Sequence, residues 1–136
     1  MAGMSDFLED AILNQLFRTS PYVPPATLYI GLSTTNPADD GTNFTEPSGN
    51  AYARKDVTRE DAQFTAPGGT GETKNVNDVI FAQASGGAWG IVTHFGVFDL
   101  LAGGNMLWSG TLLASKVIND GDQFKFPADQ LIATLD

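Results

Sequence analysis

The apolar positions of the chain change period once. From Ser5 to Arg18 they recur at helical spacing: Leu8, Ile12 and Leu16 fall every four residues, and Leu13 and Phe17 widen the stripe. Ser5 is placed to cap the first turn, with Asp6, Glu9 and Asp10 near the positive N-terminal end and Arg18 at the other. Pro21 and the Pro24-Pro25 pair then block continuation, because proline lacks the N–H a helix needs. The spacing predicts one helix over 5–18, and its period does not return.

From Ala26 the period is two. Ala26 to Ser33 sets Leu28, Ile30 and Leu32 on one face, with Tyr29 and Gly31 on the other. Strand composition recurs at Ala51 to Thr58, Val79 to Ala84, Gly90 to Asp99, Met106 to Leu113, Gln123 to Phe126 and Leu131 to Leu135. Within Gly90 to Asp99, alternation puts Ile91, Thr93, Phe95 and Val97 on one face, and Val92, His94, Gly96 and Phe98 on the other. Polar stretches rich in Gly, Pro, Asp and Thr, 36–50 and 66–77, read as long loops. One helix followed by short strands predicts a single domain over 1–136, mainly β: an antiparallel, jelly-roll-like β-sandwich over 26–136 with an N-terminal α-helix.

Composition narrows what such a domain does. At 136 residues with 42% apolar content, the chain supports one core and is not disordered as a whole. The absence of cysteine removes disulfides, thiolate metal sites and thiol nucleophiles together. Sixteen acidic against seven basic residues leave a net charge of −9, which argues against phosphate neutralisation and so against a nucleic-acid partner. The acidic start lacks the character of a signal peptide, and no apolar run reaches membrane-spanning length. The expectation is a soluble protein made in the cytoplasm, with no membrane partner.

Candidate chemistry is sparse. His94 is the lone histidine, and no Gly-x-Ser-x-Gly elbow or cysteine stands ready as its nucleophile, so it reads as structural or interfacial. Asp39-Asp40-Gly41 and Asn119-Asp120-Gly121-Asp122 miss the spacing of a calcium loop and read as turns. Gly68 to Lys74 lacks the glycine-lysine-hydroxyl ending of a phosphate loop. Tyr22, Tyr29, Tyr52, Trp89 and Trp108 suit sugar stacking, protein interfaces or core equally. No catalytic residue, cofactor or metal follows, and the chain reads as a non-enzyme.

The order of motifs nevertheless resembles a known family. Ser-Asp-Phe-Leu-Glu-Asp-Ala-Ile-Leu-Asn (5–14) precedes Pro-Pro-Ala-Thr-Leu-Tyr-Ile-Gly-Leu-Ser-Thr (24–34), then Glu46-Pro47-Ser48-Gly49 and Tyr52-Ala53-Arg54. Trp89 to Phe95, Phe98-Asp99, Gly103 to Leu107 and a terminal Thr134-Leu135-Asp136 complete the series. This is similar to the small structural proteins of tailed bacteriophages labelled tail-fibre-like, some of which act as capsid cement. The resemblance implies a non-enzymatic virion protein on the capsid exterior. It would bind the major capsid protein and itself, clamping neighbouring capsomers. The alternative is a tail-fibre or tail-adaptor component that binds a host-surface glycan.

Contact residues are expected where loops are long for so small a domain. The proline-rich stretch offers Tyr22, Pro24 and Pro25, and the 36–50 arm offers Asp39, Asp40 and Phe44. Tyr52 and Arg54 follow the arm. On this reading, deleting 37–46 impairs attachment more than folding.

Overall fold

The computed structural model describes residues 3–135, so the ends of the expected 1–136 domain, including Asp136 of the terminal motif, lie outside it. The helix α1 runs Asp6–Phe17 with Ser5 as its N-cap. The Ser5 hydroxyl accepts from Leu8 N at 3.3 Å and donates to the Met106 carbonyl, while Ser5 N donates to Leu107 O at 3.0 Å. One buried serine therefore both starts the helix and fastens it to the body. A two-residue strand, β1 (Gly3–Met4), comes before it.

The strands after α1 are β2 (Thr27–Ser33), β3 (Lys55–Thr58), β4 (Glu72–Lys74), β5 (Val79–Gln83), β6 (Gly90–Phe98), β7 (Met106–Ile118), β8 (Gln123–Phe126) and β9 (Ile132–Thr134). A five-stranded antiparallel sheet has the order β1-β7-β6-β2-β3. Two antiparallel ribbons, β5–β8 and β4–β9, form the facing layer. Phe124 of the first ribbon packs edge-to-face with both Phe81 and Phe126, and Phe126 with Phe95 of β6, closing a core that includes Ile30, Leu32, Val92, Leu112 and Leu131. The chain is mainly β, with antiparallel sheets and an N-terminal helix, as its periodicity predicts.

Several boundaries differ from the sequence reading. The expected strand from Ala51 begins only at Lys55, because Asn50 and Ala51 adopt positive φ (52° and 66°) and turn the chain. Residues 66–77 are not all loop: β4 forms there because β9 offers it a partner. β7 continues five residues past Leu113 to Ile118. The alternation in β6 also breaks. A register shift between Val92 and His94 turns Val92 into the core beside Phe95, although the unbroken pattern groups it with His94.

Candidate functional site

The sheet face away from the ribbons carries Gly31 directly opposite Gly96. Those two missing side chains leave a trough, and the 34–50 arm fills it. The Phe44 ring lies so close that a Cβ on Gly96 would sit 2.7 Å from Phe44 Cε2, and one on Gly31 would sit 3.0 Å from Glu46 Oε1. Phe44 meets Phe98 edge-on with ring centroids 4.9 Å apart. Thr45 N donates to Ser33 Oγ at 2.9 Å and Thr34 N to Thr45 O at 2.9 Å, sewing the arm to the end of β2.

Glu46 lies at the centre of this layer. Its Oε1 accepts from Arg54 Nε at 3.0 Å and from the Tyr52 hydroxyl at 2.7 Å, and its Oε2 accepts from Arg54 Nη2 at 2.9 Å. Arg54 Nη1 donates to Leu100 O and Gly103 O, both at 2.8 Å, and the guanidinium stacks 3.6 Å above the Phe98 ring. Tyr52 OH also accepts from Leu32 N at 2.9 Å, supplying a partner just beyond the end of the β2–β3 pairing at Ile30. Burial, foremost, pushes the Tyr52 phenol far above its ordinary pKa, so it remains a donor to Glu46.

The structure thus gathers three of the expected contact residues, Phe44, Tyr52 and Arg54, into one internal network. Arg54, expected at a contact surface, is buried, with its donors and its face engaged within the chain. Within 37–46, Phe44 and Glu46 pack on the sheet, so a deletion there removes contacts that the fold itself uses. Sequence reading did not anticipate Glu46, because nothing in a linear pattern pairs it with Arg54. Glycine in the middle of both β2 and β6 was the available signal.

The remaining expected residues lie on two segments that touch α1. Asp39 O accepts from Asp6 N at 2.9 Å, which docks the 39–41 turn on the start of α1. Asp40 is exposed and bonds Thr42 N at 2.9 Å and Thr42 Oγ1 at 2.6 Å, and the hydroxyl bond leads in holding its carboxyl below the usual range. Tyr22 packs edge-on against Phe7 at 6.4 Å, and its amide donates to Gln15 Oε1. Pro25 O accepts from Arg59 Nε at 2.9 Å. The 21–25 segment is therefore a fixed strap lying against α1, with Pro24 and Val23 exposed, Val23 to 82%.

Candidate chemistry resolves into structure. His94 Nδ1 lies 2.7 Å from Thr93 Oγ1, and partial burial pushes its imidazole pKa down. Asp122 Oδ2 accepts from Asn119 N at 2.9 Å, and Asp120 Oδ1 from Gly86 N at 3.0 Å, so the 119–122 acids cap a turn. Among the described residues no group of three or more histidines or acids is placed to hold a metal ion, and no helix is long and apolar enough to cross a membrane.

Comparison with curated proteins finds no match. The family described as Podophage GP4 fiber I protein gp80 matches residues 3–134, nearly everything the structure describes. With that match running through the helix, the glycine trough and the Glu46–Arg54 network alike, the chain belongs to this family of bacteriophage virion structural proteins.

Proposed function

We propose that the chain is a decoration protein of the bacteriophage capsid, docked on the outer shell against the major capsid protein and clamping neighbouring capsomers. The observation that carries this reading is the 21–25 strap. Its prolines and its bonds to Gln15 and Arg59 hold it extended, so Val23, Tyr22 and Pro24 meet a partner with little ordering cost. The exposed Asp40 turn docks on the start of α1, where Phe7 meets Tyr22 of the strap, and adds charge to the contact. A net charge of −9 favours a basic face on the partner. Binding to the assembled lattice alone stabilises that lattice by mass action, and many copies per shell act together.

The family description names a fiber protein, which favours a second reading: a tail-fibre or tail-adaptor component that binds a host-surface glycan. Copy number separates the two. Quantitative gel densitometry of purified virions should show the chain in the hundreds of copies, and a count matching the tail proteins overturns decoration. Val23→Asp should leave folding intact and abolish binding to expanded capsids.

A further inference from the structure

β7 and β8 follow one another through the short 119–122 turn, yet they form no ladder with each other. β8 pairs with β5 on one side, and β7 pairs with β6 on one side and with β1 only at Trp108 and Ser109. Among the described residues, the edges that β7 and β8 turn toward each other therefore carry no partner strand. A large bulge shapes the gap. Val92 pairs with Lys116 and His94 with Thr111, so residues 112–115 of β7 stand against Thr93 alone. Between 112–116 and 123–127 the two edges splay around a groove of about 570 Å³.

The lining of this groove has two chemistries. Leu112, Phe124 and Phe126 are buried and form an apolar floor, while Lys116 and Lys125 are exposed at the rim. The chain has seven basic residues against sixteen acidic ones, yet no acid lines the groove. Lys116 forms no ion pair among the described residues. Lys125 reaches Asp78 at 3.4 Å, and that carboxylate also accepts from Ala128 N at 3.0 Å. In a protein of net charge −9 the groove is a local positive exception. An apolar floor, a positive rim and two unpartnered strand edges together describe a seat for an extended peptide.

We propose that the groove receives an extended segment of another protein, apolar on one face and acidic on the other, which adds as a strand between β7 and β8. Alternation with a period of two delivers both chemistries at once. Apolar side chains turn onto the floor of Leu112, Phe124 and Phe126, and the carboxylates between them turn out to Lys116 and Lys125. Backbone pairing supplies the affinity and joins the large sheet to the β5–β8 ribbon. The 112–116 stretch sets the length at about five or six residues, roughly 16–20 Å of strand. A second copy that offers the same edge would set lysine against lysine, so the acidic occupant is a different chain. The groove shares no residue with the 21–25 strap and would serve a capsid protein or a tail protein alike.

Titration of the intact protein with a blocked Val-Glu-Val-Glu-Val-Glu peptide, followed by NMR, tests it. Binding should slow amide hydrogen exchange along 112–116 and 123–126. A Val-Lys-Val-Lys-Val-Lys peptide should bind at least about tenfold more weakly. N-methylation of alternate amides, which removes backbone donors and keeps the charges, should also weaken binding about tenfold. Lys116→Glu and Lys125→Glu, both at exposed positions, should each cost about fivefold with unchanged circular dichroism, and the double variant should prefer the Val-Lys peptide. Val23→Asp should bind the Val-Glu peptide as the parent does. No binding, protection confined to other strands, indifference to N-methylation, a double variant that still prefers glutamate, or loss of binding in Val23→Asp overturns the proposal.

Discussion

Arg54→Met is the sharpest test of how this fold is held together. The substitution keeps most of the aliphatic stem and removes the guanidinium. It deletes two bonds to Glu46, the bonds to Leu100 O and Gly103 O, and the stacking on Phe98. Breaking a buried ion pair on one side costs about 3–5 kcal/mol, because the remaining charge is left without a partner. The Glu46 side chain is 26% exposed and recovers some hydration, so the lower end, about 3 kcal/mol, applies here. For a domain of this size that is a drop of about 10 °C in melting temperature. Urea unfolding should give a lower midpoint at constant slope. Glu46→Gln, which keeps an acceptor for Tyr52, should cost about 1–2 kcal/mol, and the double variant should cost less than the sum. The reasoning is refuted if Arg54→Met melts within about 3 °C of the parent and instead loses virion attachment, since Arg54 would then be a contact residue.

Three further outcomes follow from packing and charge. Gly96→Ala puts a Cβ within 2.8 Å of both the Phe44 and Phe98 rings and should cost about 1–3 kcal/mol by chemical denaturation. Adding Phe44→Ala should recover part of that cost, and full additivity would place Phe44 outside the trough. Asn75→Ala removes donors to Asn77 O and Pro127 O and the acceptor for Leu131 N; a loss of about 2–4 kcal/mol, with faster hydrogen exchange at Leu131, is expected. The lowered pKa of His94 means the unfolded chain binds the proton more readily than the folded one. Its stabilising contribution is complete above the ordinary value of 6.5 and is lost as pH falls below it; His94→Gln should flatten stability over that window, and an unchanged slope would remove the assignment.

Much of the fold was legible because its elements obey local rules. Ser5, the four-residue recurrence and the prolines fixed α1 to within a residue at either end. Alternation found β2, β6 and the early part of β7. Other elements owe their existence to distant partners. β4 is Glu-Thr-Lys among glycines, with no strand propensity to announce it, and it forms by pairing with β9 about sixty residues later. β7 outruns its apolar segment because Val117 and Ile118 pair with Ile91 and Gly90 past a register shift. The Glu46–Arg54 network was hidden for a related reason. The arm reads as a polar loop, and only the cross-strand match of Gly31 with Gly96 makes room for Phe44 and brings Glu46 over the sheet.

The attachment of α1 through Ser5 also has a mechanical meaning. The helix joins the body at its first turn, through Ser5 to Met106 and Leu107 and through Asp6 to Asp39, while Leu13, Leu16 and Phe17 of its second half face solvent. A neighbour that grips Leu16 or Phe17 therefore holds a lever about 15–18 Å from its fulcrum, given a rise of about 1.5 Å per residue. Pulling on that lever loads the short β1–β7 pairing at the sheet edge and the Ser5 bonds before it reaches the longer strands. The hinge, rather than the core, is where a strained lattice would first yield.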